Sequence, residues 1–305
     1  MKEFTSRLAI AMVFAAFLTT GCGNRSQELP AADDSASTSS GKGWSSPGKA
    51  GARMEVDIKG VKVAFRWCPP GKFTRHWNKS TEDEWEKRTT WDDDKEDFTI
   101  TLTKGFWLAE TETTQELWRA VTGENPSSGA RTRKTPVNDV SWEETQEFIS
   151  KLNDAGYAPT GFKFCLPTEA QWEYACLAGT TGERYGQLDA IAWYKDNSEG
   201  QAHEVGTKKA NAWGLYDMLG NVREACEDRY AEYPMKNLTD YAGPQDGSNC
   251  VYRGGSWNRG AGDCSRSFRT DHRIDYDYWN AGGSNWGYAG HDVGGFRLSL
   301  IPKGR

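Results

Sequence analysis

The sequence predicts an α+β domain with low regular secondary structure and long loops. Three observations predict it. Two helix-start signatures lie mid-chain, at Ser141-Trp142-Glu143-Glu144 and Thr168-Glu169-Ala170-Gln171. After about residue 180, short strand-like pieces such as Cys250-Val251-Tyr252 are separated by stretches rich in Gly, Asn, Asp, Tyr and Trp. The composition, with 33 Gly and 14 Trp among 305 residues, suits irregular backbone sealed by broad aromatic side chains. A charged fraction of 26% is ordinary for a globular protein. The net charge of −6 and the lack of a long basic run argue against nucleic acid as a partner.

The elements follow in order. Lys2 and Arg7 precede an apolar run from Leu8 to Leu18, then Thr19-Thr20-Gly21-Cys22. The run falls short of the roughly 20 residues that span a bilayer and suits a signal-peptide core. The small residues before Cys22 resemble a bacterial lipoprotein box, although Leu18 stands one place too early; ordinary signal cleavage is the alternative. Residues 1–22 are therefore expected to export the chain to the cell envelope, with Cys22 as a lipid anchor to the membrane. Residues 23–53, rich in Ser, Gly, Ala and Asp, offer little to bury and are expected to be a flexible linker. Residues 54–305 form the globular domain.

Within it, Glu55 to Trp67 alternates apolar residues around Lys59-Gly60 as a hairpin, ended by Cys68-Pro69-Pro70-Gly71. The charge-rich stretch 78–97 is expected to be a solvated loop, before Phe98, Ile100 and Leu102 alternate as a strand. A helix runs from Thr114 to Val121 and stops at Gly123. The Ser141 box opens a second, with Trp142, Phe148, Ile149 and Leu152 on one face. The Thr168 box opens a third, which turns Cys176 toward the core.

Two stretches carry candidate chemistry. Asp217 and Glu224 flank a turn at Gly220, and two carboxylates with carbonyls exposed by such a turn make an oxygen-rich cup of the kind Ca2+ prefers. A glycine-centred turn with solvated acids is the plain alternative. The stretch Gly254-Gly255-Ser256-Trp257-Asn258-Arg259-Gly260-Ala261-Gly262-Asp263-Cys264 delivers one cysteine after a flexible turn. That cysteine can be a nucleophile, a metal ligand or half of a disulfide, and export leaves disulfides open for all the cysteines.

The segments RWCPPGKF, GFWLAETETTQELW, TPVNDVSWEETQEFISKLN, LPTEAQWEYAC, AWYKDNSEG, NAWGLYDMLGNVREAC, RGGSWN and GGFRL occur in order between residues 54 and 301. Together they resemble the formylglycine-generating enzyme family, the sulfatase-modifying factors. The resemblance implies a fold related to the C-type lectins, with bound calcium. One calcium site would fall on the side chains of Asp217 and Glu224 and the carbonyls of Gly220 and Val222, and a second on Asn197 and the Ser198 carbonyl. Family enzymes oxidise a cysteine of a sulfatase to formylglycine with O2, holding Cu(I) between two cysteines after the Gly-Gly-Ser turn. Paired thiolates are soft ligands that select Cu(I).

Carried onto this chain, Cys264 is the downstream copper cysteine and Ser256 lies beside the metal, but Arg259 stands at the upstream cysteine's position. An arginine is no ligand, because it stays protonated. It can instead lower the pKa of Cys264 and make the thiol reactive. Cys165 and Cys250 also occupy unusual places for the family and are expected to pair, two separate buried thiols being the alternative. The insertion before Val293 carries Tyr276, Tyr278, Trp279, Trp286 and Tyr288, which would either grip a peptide or carbohydrate or cover the core. Two functions follow. One is a calcium-stabilised module that binds an exported protein or a glycan; the other is a formylglycine-generating oxidase acting on an exported sulfatase with Cu(I) and O2. The scattered histidines, His76, His203, His272 and His291, support neither an iron oxygenase nor a Cys/His hydrolase.

Overall fold

The computed structural model describes residues 47–78, 95–244, 246–273 and 294–303. The expected signal segment with Cys22, most of the expected linker and the five insertion aromatics lie outside the described residues. The expected hairpin is present as β1 (Arg53–Ile58) and β2 (Val61–Cys68), in antiparallel register from Arg53↔Arg66 to Ile58↔Val61. Lys59 at φ 52 and Gly60 at φ 84 make its two-residue turn, whose twist matches that of the strands. The Gly51 N–H already donates to the Trp67 carbonyl, so strand-like contacts begin just ahead of β1.

A strand unmarked in the sequence follows. Residues Gly71–Asn78 form β3, paired along its whole length with β4 (Lys95–Leu102). Its inward positions include Phe73 but also Arg75, which is only 2% exposed. A buried arginine where a hydrophobe is expected breaks the alternation that marks a strand. Both strands reach into the stretch expected to be loop.

The marked helices all form. α1 (Gln115–Thr122) is capped by Thr114 and ends at Gly123 with φ 90. α2 (Trp142–Asp154) and α3 (Glu169–Leu177) each begin with both arms of a capping box. Between them runs β6 (Phe162–Cys165), and a single helical turn, α4 (Leu188–Ile191), follows. The later strands are short: β7 (Arg223–Arg229), β8 (Leu238–Thr239), β9 (Asn249–Arg253), β10 (Arg269–Arg273), β11 (Gly294–Gly295) and β12 (Ser299–Pro302). With β5 (Phe106–Ala109) they build three sheets, ordered β1-β2-β5-β12-β6, β10-β9-β7-β11 and β3-β4-β8.

Two cores result. The first sheet packs on α1 and α2 through Phe65, Trp107, Phe164 and Leu300, with Phe148 stacked on Trp118 at 4.9 Å. The second core surrounds α3, Ile100, Leu215, Met218 and Val251. Every residue of α3 except Gln171 is buried, so the helix has no wet face. Its two acids therefore need internal partners. Glu173 meets Arg75 at 2.8 Å, Arg253 at 3.0 Å and Arg266 at 3.1 Å, while Glu169 meets Arg269 at 2.9 Å. Burial would raise Glu169, but Arg269, Arg253 and Arg75 hold it down at about 2.

The expected Cys165–Cys250 pair does not form. Cys165 lies on β6 opposite Ser299, whereas Cys250 lies on β9 of another sheet. Cys250 is a free, buried thiol that accepts an N–H from Arg229 at 2.9 Å. Cys176 faces the core, as its place on α3 predicts, and is a free thiol.

Asp228 accepts the Glu169 N–H at 2.7 Å, and burial, reinforced by Glu169, pushes its carboxyl up to about 8. The folded state therefore holds a proton that the unfolded state releases above about pH 4. Stability falls as pH rises from about 4 to 8 through this group. Asp228→Asn is expected to flatten that part of the profile and to be at least as stable as the parent at pH 8, measured by urea unfolding across the pH range.

Candidate functional site

The acidic turn is built from residues with left-handed backbone. Asp217 has φ 52, Gly220 φ 80 and Asn221 φ 55. Gly220 cannot carry a side chain, because a Cβ there would sit 2.3 Å from the Trp193 carbonyl oxygen. That close approach lets the Asn221 N–H donate to Trp193 and the Gly220 N–H to Gly254. The turn is thereby pinned between two other loops.

Asp217 and Glu224 lie around one guanidinium, that of Arg297, and Trp172 and Glu112 join them, three companions the sequence did not indicate. Arg297 donates to Glu224 through Nε at 2.6 Å and Nη2 at 2.5 Å, and also to the Tyr216 and Asp217 carbonyls. Trp172 of α3 donates its Nε1–H to Glu224 at 2.7 Å. Glu112, 2% exposed, accepts the Val222 N–H and an N–H of Asn221, both at 3.3 Å. Three buried carboxylates thus face one guanidinium. Burial, then Asp217 and Glu224, raises Glu112 well above the usual carboxylate range. Burial also lifts Asp217 to about 6, against the Gly206 N–H and Arg297, which lower it. Asp217 Oδ2 accepts from Gly206 at 2.6 Å, but its Oδ1 is buried without a hydrogen-bond partner. That orphaned oxygen and the surplus negative charge fit a cation. Among the described residues no three His, Cys, Asp or Glu side chains form a ready metal cage, so carbonyls would have to complete the shell.

Asn197 and Ser198 lie on an adjoining turn. Asn197 Oδ1 accepts the Tyr194 N–H at 2.8 Å, and the Ser198 carbonyl pairs with His203 Nε2 at 2.8 Å. His203 stacks on Trp193 at 3.7 Å and gives its backbone N–H to Asn221, which ties this turn to the acidic one.

The Gly-Gly-Ser turn begins where β9 ends. Gly254 and Gly255 have φ 96 and φ 73, and a Cβ on Gly255 would lie 3.0 Å from Cys264 Sγ. This closeness sets Ser256 against Cys264. The Ser256 N–H bonds the thiol, while its hydroxyl donates to Asn258 at 2.9 Å. Both residues are fully buried. Burial, reinforced by Asp263, pushes the Cys264 thiol up to about 12, against Arg184 and the Ser256 N–H. Arg259 does not activate it. That side chain is exposed, and the residue serves through its backbone, accepting the Lys195 N–H at 2.9 Å. The cation beside Cys264 is Arg184, whose guanidinium is spent on the Cys264 and Ala261 carbonyls at 2.9 and 2.5 Å. Cu(I) does not fit this turn: the residues supply one buried thiol and no second soft ligand at the matching position.

The model of the sulfatase-modifying factor enzyme 1-like domain matches residues 62–282. The chain belongs to this family. Relatives include a chaperone protein LppX of Paenibacillus barcinonensis, 29% identical over 43% of this chain and 64% of that protein. The formylglycine-generating enzyme of Thermomonospora curvata is 30% identical over 61% and 64% of the two chains, and that of Streptomyces coelicolor 34% over 40% and 42%. The match thus spans less than two thirds of each of these relatives. Among solved structures, Treponema denticola variable protein 1 superposes with a TM-score of 0.67 at 28% identity, over 82% of this chain and 99% of that one. PvdO from Pseudomonas aeruginosa shares the fold, with a TM-score of 0.64 at 18% identity over 83% and 98%. The family's mixed α+β fold, related to the C-type lectins, is the fold of this chain.

A thiol this buried is expected to resist alkylation. Iodoacetamide at pH 8 should leave Cys264 unmodified in native protein and label it fully in denaturant, as read by peptide mass spectrometry; rapid native labelling would contradict the burial.

Proposed function

We propose that this family member is an exported binding module for a protein or glycan partner, stabilised by calcium, in which the copper chemistry has been lost. The observation that carries the reading is the state of Cys264, a lone buried thiol pushed up to about 12, with an exposed Arg259 at the position where a second thiol would stand. A thiol is a Cu(I) ligand as its thiolate, and this environment opposes that form. The turn itself persists because Cys264 also packs the second core, with Gly255 pressed against Asp263 and Cys264 and Ser256 buried beside them.

Calcium would be held by Asp217, Glu224 and the carbonyls of Gly220 and Val222, where it would neutralise surplus carboxylate charge and order a loop with little regular structure. The unpartnered Asp217 Oδ1 supports this. A second ion on Asn197 and the Ser198 carbonyl would compete with the Tyr194 N–H and His203. The alternative reading, an oxidase that converts a sulfatase cysteine to formylglycine, draws on the named relatives and requires another thiol to reach Cys264. Residues 1–22 would place the module in the envelope, anchored through a lipid on Cys22.

Anaerobic Cu(I) titration, followed by an aerobic assay on a Cys-x-Pro-x-Arg peptide, decides between the two. Weak binding and no aldehyde are expected; tight equimolar binding with aldehyde would establish the oxidase. Calcium is tested separately. At about 100 times its Kd it should add about 2.7 kcal/mol of stability, seen as a raised Tm that a chelator reverses. Asp217→Asn should abolish most of that shift. A Tm indifferent to calcium in the parent protein would remove calcium from the proposal.

A further inference from the structure

Among the described residues, the first half of β2 has a neighbouring strand on one side only. β1 pairs with it from Val61 to Arg66, whereas β5 meets it only from Phe65 to Cys68. Past Ala109 the chain leaves the sheet, after the Glu110 N–H donates to the Ala64 carbonyl at 2.8 Å. That bond shows the Ala64 backbone facing away from β1. Backbone groups alternate along a strand, so Lys62, two residues back, faces the same way. With no strand opposite among the described residues, the Lys62 N–H and carbonyl and the Ala64 N–H stand open on an inner sheet edge.

This edge borders a cavity of about 300 Å³, whose far wall is the Thr111–Thr114 segment and the first turn of α1. Thr113 lines that cavity at 4% exposure, and its hydroxyl oxygen is buried with no hydrogen-bond partner among the described residues. An unpaired hydroxyl beside an open strand edge marks a place prepared for polar contacts. The charge balance at the rim has a sign. Glu110 is held by Arg53 at 2.9 Å and Arg66 at 3.2 Å, and Glu116 by Arg133 at 2.9 Å. Among the described residues, Lys62, 73% exposed, reaches only Glu55, at 3.8 Å, and the exposed Lys134 has no ion pair. Two cations are therefore available while Glu110 and Glu116 are occupied; the third lining acid, Glu112, is 2% exposed and turned to N–H groups of Val222 and Asn221.

We propose that this notch binds an extended acidic peptide, added as a strand beside Lys62 and Ala64 with a carboxylate side chain on Lys134. Peptide carbonyls would accept the Lys62 and Ala64 N–H groups, a peptide N–H would donate to the Lys62 carbonyl, and alternate side chains would enter the cavity. The notch shares no residue with the Cys264 turn, so the inference holds whether or not the chain oxidises a substrate.

The probe is a fluorescein-labelled peptide alternating valine and glutamate, with a valine–lysine peptide of equal length as the control. Saturable binding of the acidic peptide by anisotropy is expected, with slowed hydrogen exchange at the Lys62 and Ala64 amides. Lys134→Glu, at an exposed site, should weaken binding about fivefold or more. Lys62→Pro removes the open donor while leaving the bonds to β1, and should abolish binding in protein that keeps its Tm. Should that variant unfold, Thr113→Val serves in its place and is expected to weaken binding. Failure of the acidic peptide to bind, equal binding of the lysine peptide, or binding without slowed exchange at these two amides would overturn the proposal.

Discussion

The structure depends on two carboxylates, Glu169 and Glu173, that α3 carries one turn apart into a set of arginines. Because α3 is enclosed on all sides, these acids are out of reach of water. An unpaired ion there costs several kcal/mol, and removing one partner of a buried pair typically costs about 3–5 kcal/mol. The compensating guanidinium groups arrive from different directions: Arg75 on β3, Arg253 on β9, Arg266 in the following turn and Arg269 on β10. α3 can therefore be buried only when two separate sheets are docked around it. Such pairs contribute less to net stability than their number suggests, since desolvation offsets most of the attraction. Their effect is to admit one arrangement of the strands.

The site hangs from this lattice by short links. Arg253 lies over the Trp172 ring at 5.3 Å, and Trp172 donates to Glu224. Gly254, directly after Arg253, brings its backbone against the same indole and accepts the Gly220 N–H. The acidic turn and the Gly-Gly-Ser turn are thus fixed by one helix and one strand. This explains how the turn around Cys264 keeps its shape with Arg259 at the position of the family's upstream cysteine. Gly255 is required by the approach of Asp263 and Cys264 to the backbone and Gly254 by that of Met218 and Trp172, while Cys264 fills part of a core. An arginine at position 259 costs the fold nothing, because the side chain there points into water.

What was legible and what was not divide along sequence separation. The caps at Thr114, Ser141 and Thr168 and the Lys59-Gly60 turn are contacts between residues a few places apart, and each formed as its pattern indicates. Arg75 hid β3 because its partner Glu173 is 98 positions away. Glu112 and Arg297 escaped notice as members of the acidic cluster for the same reason, Arg297 lying 73 positions from Glu224. The expected activation of Cys264 by Arg259 rested on closeness along the chain. Arg184, 80 positions from Cys264, holds the place that argument gave to Arg259.

The sequence by itself determined the local elements, the family and the identity of the turn residues, because caps, glycine turns and motif order are short-range properties. It also placed Arg259 where the resemblance implies the upstream thiol. Only the tertiary structure decided which charges meet, and so that Cys264 is a buried thiol, that Cys250 pairs with Arg229 in place of Cys165, and that three carboxylates share Arg297. Burial sets the strength of every one of those interactions, and burial is a property of the assembled core.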